Sequence, residues 1–212
     1  MKSVKIVLLA VVTALMVSCG TTRVVPISGR TQTLLVNDEQ VLSLSNQEYS
    51  NFMKSAKVST NSANTAMVKR VGQRLASAVE SYLKSNGLSS EVKNFSWEFN
   101  LVQNKEANAF CMPGGKIVVY EGLLPYTQNE ASLAIVLGHE IAHAVAKHSA
   151  EQMSTQIRNQ YGTQILGGVL EAAGVSSTTT QLAQILTQKG LQFRSLKYSR
   201  NHETEADRMG LI

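Results

Sequence analysis

His139-Glu140-Ile141-Ala142-His143, an H-E-x-x-H run inside a strongly apolar stretch, decides how this chain is read. On a helix, residues four apart share one face, with Cβ atoms about 5–6 Å apart. Two imidazoles at that spacing can meet one zinc ion at roughly 2.0–2.1 Å each. Glu140, next to the first imidazole, can reach water on the open side of such an ion and take its proton. Thr127-Gln128-Asn129-Glu130 reads as a capping box with Thr127 as N-cap, and Pro125 discourages helix before it. Leu133, Ala134, Ile135, Val136, Leu137, Ile141, Ala142, Ala144 and Val145 then make the helix apolar almost all round, which predicts a core helix. Two histidines and a glutamate buried there need strong partners, and a metal is the natural one.

Hydrolytic zinc sites use three protein ligands and leave one position open. His148 is the nearest further candidate, but the metzincin pattern needs glycine and histidine where this chain has Ala146 and Ser149. The better source is Tyr198-Ser199-Arg200-Asn201-His202-Glu203-Thr204-Glu205-Ala206-Asp207-Arg208. As a helix capped by Ser199 or Asn201, this segment puts Glu203 and Asp207 four apart on one face. Glu203 is then the expected ligand, and Asp207 is expected to hold the second nitrogen of a ligand imidazole.

H-E-x-x-H followed about sixty residues later by S-R-x-x-E-x-E-A-D-R-x-G resembles the HtpX-like and CAAX-prenyl-protease-like zinc metallopeptidases. The fit is best to their soluble periplasmic lipoprotein branch (BepA-like and LoiP-like). Asn108-Ala109-Phe110-Cys111-Met112-Pro113-Gly114-Gly115 resembles the family's N-A-F-x-x-P-G-G segment, and the likeness runs from about residue 60 to the C-terminus. The resemblance implies one Zn2+ per chain held by His139, His143 and Glu203, with Glu205 the alternative to Glu203. It implies Glu140 as general base and an edge strand at Asn108, Ala109 and Phe110 that binds extended substrate. Relatives continue through further helices, so a chain stopping at Gly210-Leu211-Ile212 is expected to be C-terminally truncated.

Lys2 and Lys5 flank the start of an apolar run from Val4 to Val17 that ends at Ser18-Cys19-Gly20. A span needs about 20 apolar residues, so the run reads as a secretory signal. Met16-Val17-Ser18-Cys19 resembles a bacterial lipobox, which predicts cleavage before Cys19 and lipidation of its thiol. The absence of Asp at position 20 agrees, by resemblance to lipoproteins, with the periplasmic face of the outer membrane. Removing residues 1–18 takes away two lysines and no acids, so the net charge falls from +5 to +3. That mild excess, without a basic stripe, does not call for nucleic acid. Lipidated Cys19 leaves Cys111 alone, so no intramolecular disulfide is expected. Cys111 reads as a small core residue rather than a fourth ligand.

Residues 19–44 show no helical period and read as an extended tether. Ser45-Asn46-Gln47-Glu48 is a second capping box, opening a helix through Tyr49, Phe52 and Met53. Residues 64–85 carry the stripe Met67, Val68, Val71, Leu75, Ala78, Val79, Tyr82 and Leu83, closed by Asn86-Gly87. Phe95, Trp97, Phe99 and Leu101 alternate with polar residues as in a half-buried strand, with Trp97 in the core. Asn108–Met112 and Lys116–Tyr120 read as two more strands around Pro113-Gly114-Gly115. Between Ser149 and Lys197 the pattern suggests two helices, with a polar break at Ser176–Thr180 and a second stripe at Leu182, Ile185 and Leu186.

The fold class is therefore α+β, mostly helical, with a zincin-type helix beside a small antiparallel sheet in one domain over residues 45–212. The expected activity is zinc-dependent endopeptidase, and the family likeness points to unfolded or misfolded envelope proteins as substrates. Two rivals are a chaperone-like binding module with structural zinc and a zinc hydrolase of cell-wall peptides. A closed fourth coordination position would favour the first, and a pocket for D-amino acids the second.

Overall fold

The computed structural model describes residues 20–166 and 193–212. In chain order the elements are strands β1 (Thr21–Val24) and β2 (Thr31–Leu34), helices α1 (Asp38–Ser55) and α2 (Ser62–Ser85), and strands β3 (Glu98–Val102), β4 (Ala109–Met112) and β5 (Lys116–Tyr120). Helices α3 (Glu130–Val145), α4 (His148–Leu166) and α5 (Arg200–Gly210) follow, with single helical turns at Ser89–Val92 and Leu124–Thr127. The mostly helical α+β class read from the sequence is the one found. The signal and lipidation site at residues 1–19, and the break and second stripe at Ser176–Leu186, lie outside the described residues. No helix among the described residues is long and apolar enough to cross a membrane.

The second sheet has the order β3-β5-β4, with β4 antiparallel and β3 parallel to β5, so it is mixed. Helices cover both of its faces, and every residue of β4 and β5 is buried. The alternation of side chains across a strand sorts them into two cores. Cys111, Ile117 and Val119 meet Val68 and Val71 of α2 and Leu133, Leu137 and Ile141 of α3. Phe110, Met112, Val118 and Tyr120 meet Val41, Leu44 and Tyr49 of α1 and Met153 of α4. The β4–β5 turn needs its glycines, because Gly114 and Gly115 have φ of 88° and 80°. The predicted strand at Phe95–Leu101 forms only from Glu98 onward. Ser96 and Glu98 spend their N–H groups on the carbonyls of Gly114 and Gly115, so pairing with β5 begins after the turn.

Residues 20–44 are not an extended tether. β1 and β2 form an antiparallel hairpin, and α1 starts at Asp38, with Val25 fully buried and Leu34 and Val36 in the core. Helix α1 opens on a reciprocal box between Asn37 and Gln40, not at Ser45. Ser45 lies buried in mid-helix, where its hydroxyl donates to the Pro113 carbonyl at 2.7 Å. The Asn37 box won because the helix buries two further apolar residues, Val41 and Leu44, ahead of Ser45.

Helices α3 and α5 meet backbone to backbone at Gly138 and Gly210. A Cβ on Gly138 would lie 2.6 Å from the Gly210 carbonyl oxygen, and one on Gly210 would lie 2.7 Å from Gly138 C and His139 N. Neither neighbour is a side chain that can rotate away. Alanine is the better helix former by about 1 kcal/mol, yet Gly138→Ala is expected to destabilise by about 1–3 kcal/mol through overpacking. Urea unfolding measures the difference, and an unchanged or higher midpoint would disprove the close crossing.

Candidate metal centre

Helix α3 starts at Asn129, whose side chain accepts from Ser132 N at 2.9 Å. Thr127 is not the N-cap. It ends the short turn Leu124–Thr127, which contains Pro125, and Gln128 then reverses the chain with a φ of 59°. A proline is welcome in the first turn of a helix, which is why it did not keep helix out. Nor is α3 apolar-buried all round, since Ile135 in its first half is 57% exposed, whereas residues 141–145 are all buried.

Helix α5 opens on Ser199, whose side chain accepts from His202 N at 3.2 Å, so Ser199 rather than Asn201 is the cap. Packed against α3, it brings Glu203 Oε2 to 3.3 Å from His139 Nε2 and 3.8 Å from His143 Nε2. The two Nε2 atoms are 3.0 Å apart. Among the described residues these three form one cluster able to hold a metal ion, with ligand atoms within 4.8 Å of one another. Donors each about 2.0–2.2 Å from one tetrahedral ion lie roughly 3.3–3.6 Å apart, so the donor set fits zinc with only small adjustments. Asp207 Oδ1 accepts from His139 Nδ1 at 2.8 Å, which leaves Nε2 facing the cluster.

Sequence reasoning missed the layer behind His143. Lys147 takes the left-handed conformation (φ 56°) after α3, a position usually given to glycine, and its ammonium is held by Asp38 and Glu91. That sharp turn swings His148 back, with its Nδ1 2.8 Å from His143 Nδ1. Glu205, the alternative ligand, is outside the cluster and accepts from His148 Nε2 at 2.9 Å. Tyr198 stacks on His143 with ring centroids 4.1 Å apart and pairs its hydroxyl with Ser149 at 2.8 Å. His202 stacks on His148 at 4.4 Å and meets Glu151 at 3.3 Å. The H-E-x-x-H-x-x-x-x-H spacing was the available signal for His148, but nothing local pairs it with Glu205.

Burial dominates the electrostatics here. It raises the Glu140 carboxyl to about 7, with Glu203 adding to the rise and His139 opposing it. It lowers His143 to about 3, helped by His148, His139 and His202. It lowers His148 to about 4 against the pull of Glu205. For Glu205, burial pushes upward, but the hydrogen bonds from Arg30, Ser28 and His148 outweigh it and leave the value at about 2. Glu151 is likewise left at about 2, where bonds from His202 and Arg30 overcome burial.

The three residues read as substrate-binding are placed differently from one another. Asn108 is exposed and its carbonyl accepts from Tyr120 N at 3.0 Å. Ala109 belongs to the core facing α3. Phe110 packs in the opposite core, edge-on to Phe52 and Tyr120 at 5.5 and 6.0 Å, so its side chain points away from the metal cluster. What β4 can offer an extended chain is backbone, since it is an edge of its sheet. In antiparallel alternation, the Asn108–Tyr120 bond leaves Ala109 and Cys111 with outward-facing N–H and C=O groups. The Cys111 thiol is buried outside the metal cluster, and burial pushes its pKa well up.

The profile of Peptidase family M48 matches residues 62–212. The chain is 39% identical over 123 residues to the mitochondrial metalloendopeptidase OMA1 of Schizosaccharomyces pombe, covering 58% of this chain and 34% of that protein. It is 30% identical over 188 residues to the human mitochondrial metalloendopeptidase OMA1, covering 88% and 35%. It is 36% identical over 122 residues to the beta-barrel assembly-enhancing protease of Escherichia coli K12, covering 54% and 24%. The chain thus spans between 24% and 35% of the length of these relatives.

The shifts carry a stability consequence for the metal-free protein. His143 and His148 are held below their ordinary 6.5, so below that pH the unfolded chain binds protons that the folded one refuses. Glu140, held above 4.5, works the other way between 4.5 and 7 but is one group against two. Glu151 and Glu205 then withdraw their contribution as pH falls from 4.5 towards 2. The melting temperature is expected to fall from about pH 6.5 downward and more steeply below about 4.5. A calorimetric series across pH 3–8 that stays flat would contradict these assignments.

Proposed function

The chain belongs to peptidase family M48, and from that premise we propose that it is a zinc-dependent endopeptidase. The observation that carries the reading is the convergence of His139, His143 and Glu203 on one point, with Glu140 on the same helix. In this reading those three residues hold one zinc ion, and Asp207 holds His139. When bound, zinc supplies Lewis acidity that polarises a peptide carbonyl and acidifies water.

The residues of the chain do the rest. Glu140, with a pKa raised by burial to about 7, suits a group that takes and returns a proton near neutral pH. It accepts a proton from the attacking water as the water oxygen bonds to the scissile carbonyl carbon. The C–N bond then breaks, and Glu140 delivers that proton to the leaving amine. The outward backbone groups of Ala109 and Cys111 on β4 lay the substrate beside the site as an added strand, while Asn108 and Phe110 support that edge.

The proposed setting is the bacterial envelope. Support comes from the basic and apolar leader, the Met16-Val17-Ser18-Cys19 run, and the likeness to a beta-barrel assembly-enhancing protease. Under this reading Cys19 carries the lipid, the domain sits at the periplasmic face of the outer membrane, and unfolded or misfolded envelope proteins are the substrates.

The test is zinc content together with casein cleavage for wild type, Glu140→Gln and Asp207→Asn. Wild type is expected to hold one equivalent of zinc and to cleave. Glu140→Gln should keep the zinc and lose about 10²–10⁴-fold in rate. Asp207→Asn should bind zinc about 10–100-fold more weakly. Zinc without cleavage in wild type would favour the chaperone-like module, cleavage of cell-wall peptides alone would favour the other hydrolase, and no zinc would sink all three.

A further inference from the structure

The β1–β2 hairpin, outside the residues 62–212 matched by the family profile, touches all three helices that build the site. Gln32, buried, donates to the Ala146 carbonyl at the end of α3 at 3.0 Å. Arg30 reaches α4 and α5 together. Its two terminal nitrogens bind both oxygens of Glu151 at 2.8 and 2.7 Å, and its Nε donates to Glu205 Oε2 at 2.9 Å. Ser28 donates to the other oxygen of Glu205. The turn that delivers these two residues is held in a costly shape. Ile27 has a φ of 68°, which β-branched residues rarely adopt. Val25 N–H to Arg30 O at 2.7 Å, Ser28 N–H to Pro26 O at 2.7 Å and the complete burial of Val25 keep it there.

We propose that Arg30 is a positioning residue for the metal centre, acting through Glu205 and His148 to make His143 present its Nε2 lone pair to the cluster. The proposal rests on the metallopeptidase reading of that cluster. The logic is one of donors and acceptors. The Glu205 carboxylate, with both oxygens taking bonds from Arg30, Ser28 and His148, is an acceptor. His148 Nε2 must therefore carry a hydrogen, and in a neutral imidazole its Nδ1 is then a lone pair. That lone pair faces His143 Nδ1 at 2.8 Å, so the hydrogen between them belongs to His143 Nδ1. His143 Nε2 is left bare, 3.0 Å from His139 Nε2 and 3.8 Å from Glu203, the state a metal ligand needs.

Arg30 makes this arrangement stable. Glu205 has a side chain only 7% exposed. The two-pronged grip on Glu151 anchors the guanidinium, and its Nε then keeps Glu205 charged and holds the same oxygen that faces His148. Without Arg30, Ser28 and His148 alone hold the carboxylate, and the oxygen facing His148 Nε2 loses the second donor that fixes its position. His143 then samples both tautomers, one of which puts a hydrogen where the metal should bind. Lysine at position 30 supplies charge but no fork, so it restores the arrangement only in part.

The experiment compares wild type, Arg30→Gln and Arg30→Lys in the full chain, each checked for folding by circular dichroism. Two quantities are read: the imidazole 15N shifts of His143 in the metal-free protein, and zinc affinity by competition with a chromophoric chelator. Wild type is expected to show His143 protonated at Nδ1. Arg30→Gln should show mixed tautomers and about 10–100-fold weaker zinc binding, with Arg30→Lys between the two. If Arg30→Gln does not fold, Arg30→Lys decides by the same readouts. A folded variant with the wild-type tautomer and affinity would overturn the proposal, as would His143 protonated at Nε2 in wild type. Failure of wild type to take zinc would sink the metallopeptidase reading, and the tautomer measurement would still decide the role of Arg30.

Discussion

The crossing of α3 and α5 at Gly138 and Gly210 is the constraint on which the site depends. Helices packed through ordinary side chains sit 8–10 Å apart. Here each glycine faces the other's backbone, with no room for a Cβ. Glu203, Asp207 and Gly210 follow one another at four and three residues, a single stripe along α5. On α3, His139 adjoins Gly138, and His143 lies one turn on. The crossing therefore sets the register between the two stripes. It lets a short aspartate reach His139 Nδ1 at 2.8 Å while Glu203 faces both Nε2 atoms. A wider crossing would strand both carboxylates, whatever their spacing in the sequence.

Around that contact the protein gathers His139, His143, His148 and His202 with Glu140, Glu151, Glu203 and Glu205, several of them buried. Unpaired buried polar groups are costly, and most of these are paired with one another. Glu151 and Glu205, which accept hydrogen bonds from Arg30 and from imidazoles, are held at about 2. Glu140 moves the other way, because burial and Glu203 outweigh the help of His139. Environments that push like groups apart are how one site assigns permanent charge to some carboxylates and proton transfer to another. Glu140 is the one whose surroundings suit it to move a proton.

Much of this was readable from local signals. The H-E-x-x-H helix, the stripe that became α2, the turn at Pro113-Gly114-Gly115 and a cap at Ser199 or Asn201 each depend on residues within one or two turns of each other. That Asp207 would hold a ligand imidazole followed from helical spacing, and the crossing of the two helices decides that the imidazole is His139. The losses share a different cause. Strands of four residues such as Thr21–Val24 and Thr31–Leu34 are too short to show a period, so a hairpin read as a tether. Competing capping boxes at Asn37 and Ser45 look alike until the core chooses between them. The parallel pairing of β3 with β5 leaves no mark in either strand.

The pair Glu203 and Glu205 shows where local reading stops. Both are acids in the same motif, and the family resemblance gave Glu203 as the ligand with Glu205 as its alternative for that one role. Two residues along an α-helix lie about 200° apart, so they cannot serve the same neighbour. With Gly210 pressed against α3, Glu203 must face the histidines of that helix, and Glu205 must turn towards α4 and the hairpin. There it meets His148 and Arg30. The alternatives are therefore complementary parts. One carboxylate faces the cluster directly, and the other, through His148, governs the imidazole beside it. The E-x-E spacing supplies both because α5 lies between the metal cluster on one side and the N-terminal hairpin on the other.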